Sequence, residues 1–443
     1  IEKEFQAYTS EEINQYIDEA HELYQTWRFE SFEERKAVMK RVANEMRVQK
    51  SRLAALITTE MGKPLSESEI EVEYSANIIE YYADNAAEFL ADTQLETEKG
   101  TAYVVSEPIG VLLGVMPWNF PFSQIARFAG PHIMVGNTVV LKTASNIPQC
   151  GIAFEEMFTA AGAPKGLYKN LLVSGKDTDS IVENPKIVGV SLTGSEAAGA
   201  QVASLAGKNV KPSVLELGGS DPMIVLDDAD IEKVMNGTIN GRLRNAGQAC
   251  TSSKRIIVQE GIYDEYLKQI TAYVNNMKVG DPTQADTNMG PVSSETALVK
   301  LLDQVNQSVE KGAKIVSGGK RIDRDGFFLE PTILTEIKPG MKAYDEEIFG
   351  PVVCIWKVKD AEEALKIAND TPFGLGASIY TKNVELAQKL ARRIDSGMVY
   401  VNKQVSSSPE LPFGGTKHSG YGRELSKAGI LEFLNKKLVM IAK

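Results

Sequence analysis

The stretch NAGQACTSSKR (residues 245–255) carries Cys250, one of three cysteines in a chain of 443 residues. A cysteine that attacks a carbonyl does so as thiolate, and at its reference pKa of about 8.5 only a few per cent is thiolate at neutral pH. Histidine is the usual helper, but neither His21, His132 nor His418 lies within a hundred residues of Cys250. Two readings follow: a nucleophile with an unusual partner, or a small buried apolar residue. A second candidate is VLELGGSDP (214–222), where a lone carboxylate, Glu216, stands in an apolar strand end. Buried carboxylates are rare without a partner, and a desolvated one has a raised pKa and can act as a general base. The third is PWNFPF (117–122), which sets Asn119 between prolines and aromatics, either as a packed turn or as a fixed carboxamide donor to a developing oxyanion.

Two further stretches suit a phosphorylated ligand. SLTGSEAAGA (191–200) follows the apolar run IVGV and opens an Ala-rich helix. Gly194 and Ser195 then fall at a strand-to-helix turn, where unpaired N–H groups and the helix dipole favour phosphate. A GxGxxG fingerprint is absent, so an ordinary tight turn is the alternative. TVVLKTAS (138–145) places Lys142 at a strand's carboxyl end, where open α/β sheets bind ligands, or where a lysine simply caps the strand in solvent.

These residues need elements to hold them. Residues 9 to about 90 read as helices, with capping-box spacings at Thr9/Glu12 and Ser31/Glu34 and no proline before Pro64. From about residue 101 short β-rich runs (TAYVV, VLLGVM, TVVLK, IVGVSL, SVLEL, MIVL) alternate with helix-like stretches, the signature of a parallel sheet with crossover helices. A second alternating block follows Cys250, with RIIVQ, AKIVSGG, PVVCIWKV, GASIY and GMVYVN as strands. The tail, ILEFLNKKLVMIAK (430–443), ends on an apolar strand expected to add to another sheet.

Length alone predicts two or three domains. An apolar content of 43% and a charged content of 24% argue against a largely disordered chain. The net charge of −11 disfavours nucleic acid or an anionic membrane surface as partner. No apolar run approaches the roughly 20 residues that span a bilayer, and no secretory leader pattern opens the sequence, which starts at Ile1. Cys150, Cys250 and Cys354 are widely spaced and odd in number, which predicts reduced thiols in a cytoplasm, no disulfide framework and no metal site.

The segments PWNFPF, TVVLKTAS, SLTGSEAAG, LELGG, NAGQAC, EEIFGPV (346–352) and PFGGTKHSGYGRE (412–424) come in an order and spacing that resembles the NAD(P)-dependent aldehyde dehydrogenases over nearly the whole chain. Within that family the relatively short chain looks like the succinate-semialdehyde dehydrogenases. The resemblance implies an aldehyde dehydrogenase-like α/β fold. Its parts would be a Rossmann-like cofactor domain (1–90 and 109–218), an α/β catalytic domain (219–418) and a β oligomerisation arm (91–108 and 419–443) that builds a homodimer or homotetramer. It also implies a mechanism. The Cys250 thiolate attacks the aldehyde, Asn119 and the Cys250 N–H hold the oxyanion, hydride passes to a nicotinamide, and Glu216 activates water to hydrolyse the thioester. Glu216 also assists thiol deprotonation, and the nicotinamide's positive charge favours thiolate. Cys150 and Cys354 are packing residues. Lys142 is expected at the adenosine ribose, Ser195 at the pyrophosphate, Glu347 at the nicotinamide ribose and Phe349 beside the ring; Pro117, Trp118, Ser145, Gly194 and Leu217 complete the cofactor contacts. A carboxylate such as Glu347 can accept from two ribose hydroxyls.

Two departures matter. NAD-preferring relatives carry Glu where this chain has Ser145, which predicts NADP as cofactor and NAD as the weaker one. Some succinate-semialdehyde relatives carry a second cysteine where this chain has Ser252, so a redox switch built on that pair is not expected. Arg127 and Arg244, without the resemblance, read as surface or structural arginines. With it they are expected, together with Ser407 and Phe413, at the mouth of the aldehyde tunnel, holding a substrate carboxylate by bidentate pairing. The expected reaction is NADP-dependent oxidation of succinate semialdehyde to succinate. The alternatives are another aliphatic, betaine or aromatic aldehyde, acyl transfer to coenzyme A, and a non-catalytic structural or binding protein.

Overall fold

Four helices open the chain: α1 (Ser10–Trp27), α2 (Phe32–Val48), α3 (Lys50–Met61) and α4 (Leu65–Phe89). The first two starts are capped at the predicted positions, α1 by a full capping box and α2 by its serine alone, while α3 and α4 have no side-chain cap. Thr9 accepts from the Glu12 N–H at 3.2 Å while the Glu12 carboxylate accepts from the Thr9 N–H at 2.7 Å, and Ser31 accepts from the Glu34 N–H at 3.2 Å. The computed structural model describes residues 4–443.

The strands, in chain order, are β1 (Thr93–Leu95), β2 (Gly100–Pro108), β3 (Val111–Met116), β4 (Thr138–Thr143), β5 (Tyr168–Asn170), β6 (Ile187–Thr193), β7 (Ser213–Glu216), β8 (Pro222–Val225), β9 (Arg255–Gln259), β10 (Lys314–Ser317), β11 (Thr332–Thr335), β12 (Val352–Val358), β13 (Gly376–Tyr380), β14 (Met398–Val401), β15 (Gly420–Tyr421) and β16 (Leu434–Ala442). They form a six-stranded sheet, β15-β7-β6-β3-β4-β5, a seven-stranded sheet, β10-β11-β12-β9-β8-β13-β14, and a three-stranded sheet, β1-β2-β16. The two large sheets are parallel except at one edge each, where β15 and β10 run antiparallel to their neighbours.

The six-stranded sheet is buried on both faces, which is why its strands read as unbroken apolar runs. Leu112, Val139 and Leu141 join a core with helices α2–α4 and α5 (Pro121–Val135), while Val111, Leu113, Val140, Val190 and Leu192 join a separate core with Ile13 and Ile17 of α1. Strand order reverses between β3 and β6, so the crevice at the carboxyl ends of these two strands is the ligand position that a doubly wound sheet provides. PWNF leaves β3 there and TGSE leaves β6. Only residues 217–221 separate the carboxyl end of β7 from the start of β8 in the seven-stranded sheet. That short link brings the carboxyl edge of one sheet to the amino-terminal edge of the other.

Three strand readings change. TAYVV belongs to β2 of the small antiparallel sheet and MIVL begins in β8 of the seven-stranded sheet, although both fall in the first alternating block. Period and composition identify a strand; they do not name its neighbour. The apolar tail, β16, pairs antiparallel along the whole of β2 in its own chain. Among the described residues no helix is long and apolar enough to cross a membrane.

Candidate active site

Cys250 sits on a loop of unusual backbone. The helix Ile231–Thr238 widens into a π-helical turn through Ile239–Leu243, and then Asn245, Ala246 and Gly247 follow with φ of 52°, 51° and 70°. Two non-glycine residues in the left-handed region cost of order 1 kcal/mol each or more, so surrounding contacts must over-determine the loop. Arg242, fully buried, supplies four of them: Nε donates to the Val352 carbonyl at 2.8 Å, Nη1 to the Gly247 carbonyl at 3.3 Å and Ser252 Oγ at 2.8 Å, and Nη2 to the Ile348 carbonyl at 3.0 Å. Gly247 has no substitute, because a Cβ there would lie 2.3 Å from the Gly350 carbonyl oxygen.

Asn119 is tied to the same loop. Its Nδ2 donates to the Gln248 carbonyl at 3.1 Å, and its own carbonyl accepts from Asn245 Nδ2 at 3.0 Å and from Lys63 Nζ at 2.9 Å. Lys63 is buried and paired with Glu71 of α4, whose other oxygen accepts from the Phe122 N–H at 3.0 Å at the start of α5. One bond thus holds the Asn119 carboxamide and two hold its backbone carbonyl.

Cys250 opens into a cavity of about 240 Å³ whose lining includes Tyr74, Arg127, Arg244, Ser407 and Phe413. The four residues expected to hold a substrate therefore do share one cavity with the cysteine. One placement differs from expectation: Arg127 is not at the mouth. It is 5% exposed, stacked 3.8 Å from the centre of the Phe413 ring, with Nη2 3.0 Å from Glu424 Oε2. Helix α5 carries it inward, because every residue of that helix is buried between α4 and the sheet. Arg244, with a side chain 38% exposed, is the mouth residue, and its Nε lies 3.5 Å from Glu67 of α4.

Glu216 ends β7, is 2% exposed, and neither of its carboxylate oxygens has a hydrogen-bond partner. Burial, and after it the neighbouring Glu424, holds its carboxyl well above the usual range, with Arg127 opposing. Burial likewise pushes the Cys250 thiol up to about 12; Arg127 and Lys254 oppose the rise, and Glu216 adds to it. The nucleophile candidate and the base candidate are electrostatically linked, since a charge on Glu216 disfavours ionisation of the thiol. Cys150 and Cys354 are fully buried and unpaired.

The residues expected at the cofactor stand at or after the carboxyl ends of β3, β4, β6 and β7, or just before β12. Lys142, at the end of β4, is buried and donates to the Thr143 carbonyl at 3.2 Å, so it is not a solvated strand cap. Ser145 is exposed and lines a second cavity of about 290 Å³ with Thr143, Pro148, Leu172 and Val173. Ser195 caps the helix Glu196–Lys208, accepting from the Ala198 N–H at 3.3 Å. The Gly194 N–H is not free for a phosphate, since it donates to the Glu216 carbonyl at 2.9 Å. Leu217 fills the space over Gly199, where a Cβ would come within 2.5 Å of it. Pro117 and Trp118 follow β3, and the Trp118 ring meets Phe349 edge-on at 5.9 Å. Glu347 Oε1 accepts from the Gly219 N–H at 3.1 Å and lies 2.9 Å from Lys254 Nζ, whereas Glu346 turns to Gln304 and Lys342. Among the described residues no cluster of His, Cys, Asp and Glu suits a metal ion.

Sequence reasoning passed over Arg242, Lys63, Lys254, Tyr74 and Glu424. Lys254 and Glu424 stand inside the quoted segments, and the signal for Lys254 was a charged pair entering directly the apolar strand RIIV. Nothing local marks Tyr74, which reaches the cavity only because α4 crosses α5.

The geometry has clear relatives. Residues 2–439 match the model of the aldehyde dehydrogenase family. A succinate-semialdehyde dehydrogenase [NADP(+)] of Deinococcus radiodurans is 45% identical over 437 residues, 99% of this chain and 92% of that protein. A probable succinate-semialdehyde dehydrogenase [NADP(+)] of Synechocystis is 43% identical, covering 99% of this chain and 96% of that protein. The crystal structure of succinic semialdehyde dehydrogenase from Streptococcus pyogenes in complex with NADP+ superposes with a TM-score of 0.98 at 44% identity, covering 100% of this chain and 97% of that one. With its fold, its motifs and nearly its full length shared, this chain belongs to the aldehyde dehydrogenase family.

Proposed function

We propose that this enzyme oxidises succinate semialdehyde to succinate with NADP+ and water, yielding NADPH and two protons. The observation that carries the reading is a single cavity with Cys250, two arginines and Ser407 on its walls. A four-carbon substrate can be held at both ends there, its carboxylate on Arg127, Arg244 and Ser407 and its aldehyde at Cys250. Phe413 supports Arg127 from below.

The Cys250 thiolate adds to the aldehyde carbon, and Asn119 Nδ2 and the Cys250 N–H stabilise the oxyanion. NADP+, when bound, accepts the hydride and adds a positive charge beside the thiol. The thioester left on Cys250 is hydrolysed by water that gives a proton to Glu216, and succinate leaves. Lys142, Ser145, Ser195 and Leu217 hold the adenosine and phosphate portions, with Gly194 leaving room beside them for want of a side chain; Pro117, Trp118, Glu347 and Phe349 hold the nicotinamide ribose and ring. The exposed Ser145 fits the cofactor's 2′-phosphate, because it donates a hydrogen bond where a carboxylate would repel. Ser145→Glu should shift the ratio of kcat/KM for NADP+ and NAD+ towards NAD+, and a wild type preferring NAD+ would contradict this choice.

We further read the three sheets as a cofactor-binding unit, a catalytic unit and an assembly arm. Leu95, Leu438, Met440 and Ile441 of the arm expose apolar surface suited to a second copy of the chain, as a homodimer or homotetramer. Three unpaired cysteines suit the cytoplasm. NADPH formation followed across succinate semialdehyde, butanal, betaine aldehyde and benzaldehyde tests the reading: succinate semialdehyde should give the highest kcat/KM, and a better uncharged or cationic substrate would replace it.

A further inference from the structure

Lys254 follows Cys250 by four residues, is 2% exposed, and directs its ammonium at three acceptors. These are the carbonyls of Ala249 and Cys250, each at 2.8 Å, and Glu347 Oε1 at 2.9 Å. An ammonium has three protons, so each is spent. One acceptor matters most. The Ala249 carbonyl and the Cys250 N–H belong to the same planar trans peptide and point in opposite directions. Whatever fixes that carbonyl fixes the line along which the N–H is aimed, and holding the Cys250 carbonyl as well pins the peptide planes on both sides of the cysteine. Glu347, itself held by the Gly219 N–H at 3.1 Å, keeps the lysine in place.

We propose that Lys254 is a positioning residue that aims the Cys250 N–H at the oxyanion, anchored by Glu347, so that the oxyanion site and the cofactor-ribose grip share one carboxylate. This rests on the reading of Cys250 as nucleophile. It also separates Lys254 from a plain electrostatic helper: a cation that only favoured thiolate would change every reaction of the thiol alike, whereas an aimed N–H matters only where an oxyanion forms.

Two reactions of the cofactor-free enzyme draw that distinction. With p-nitrophenyl acetate the thiolate adds to the ester carbonyl, the oxyanion collapses, the C–O bond breaks and p-nitrophenolate leaves an acetylated cysteine. With iodoacetamide the thiolate forms a C–S bond as iodide departs, and no oxyanion appears. In Lys254→Met the ratio of acylation rate to alkylation rate should fall at least tenfold, since removing an oxyanion donor outright costs about a hundredfold or more. A ratio unchanged from wild type, whether both rates drop together or neither moves, overturns the proposal. If circular dichroism shows that Lys254→Met does not fold, Lys254→Gln is measured the same way and should lower the ratio to a similar degree. Cys250→Ala should react in neither assay; acylation persisting in that variant would instead overturn the nucleophile assignment, and this inference with it.

Discussion

At the scale of single residues, an isolated carboxylate replaces the missing histidine. Glu216 has no hydrogen-bond partner and its carboxyl is raised by burial, the state of a group waiting for a water molecule and not of one completing an ion pair. Glu216→Gln should therefore slow thioester hydrolysis far more than acylation. Rapid mixing should then show a burst of NADPH near one equivalent per site ahead of a slow steady state, while full turnover in the variant would remove Glu216 from the mechanism. A second buried acid, Asp221, follows different logic. Burial raises its carboxyl to about 7, against the opposing Lys254 charge and a hydrogen bond from the Gly376 N–H. Because the folded protein holds this proton more tightly than the unfolded chain, the associated stability is present below the ordinary Asp pKa of 3.8 and is lost as pH rises through 7, a swing of roughly 4 kcal/mol. Asp221→Asn carries no such proton. Its melting temperature relative to wild type should rise between pH 4 and 8 and level off above; a difference that is flat with pH would show that Asp221 titrates normally. Residues of this kind were legible in sequence when the motif carried them whole, as with Cys250, Glu216 and Asn119. Lys254 and Arg242 were visible only as charges, since their work is done on backbone carbonyls that no residue pattern displays.

At the scale of elements, continuous apolar runs identified most strands of both large sheets, and the Thr9/Glu12 and Ser31/Glu34 spacings marked the first two helices, though only the first closes a full capping box. The short strands β5, β11 and β15 gave no signal of their own, and strand pairing across sheets was not encoded in period. The decisive element is the Asn245–Gly247 turn, a left-handed run that propensity would reject and that stands because Arg242 holds it. A lysine at 242 keeps the charge but loses the planar fork that reaches four acceptors on two separate stretches, 247–252 and 348–352. Arg242→Lys should lower unfolding stability by about 2–4 kcal/mol and reduce kcat with it. An unchanged melting temperature together with unchanged kcat would mean that the turn is held by its other bonds alone. Ser252, one of those four acceptors, has a structural task where some family members carry a second cysteine.

At the scale of the whole molecule, the site exists only because the carboxyl edge of one parallel sheet meets the amino-terminal edge of another across five residues of chain. Helices α4 and α5 then bring Tyr74 and Arg127 to one wall of the cavity, while the loops around Arg244 and Ser407 form the other. On the proposed reading, this convergence would select a substrate by the charge at its far end from Cys250. Arg127 is a poor probe of it, because removing that side chain leaves the buried Glu424 unpaired and disturbs Glu216 as well. Arg244, partly exposed and outside that cluster, is the cleaner choice. The direct test is kcat/KM for succinate semialdehyde and for butanal in wild type and in Arg244→Ala. Wild type should favour succinate semialdehyde by at least tenfold, and the substitution should cost that substrate about tenfold, the loss of one hydrogen bond to a charged group, while butanal changes little. Equal use of both substrates by wild type, or an equal loss on both in the variant, would contradict recognition of a substrate carboxylate in this cavity.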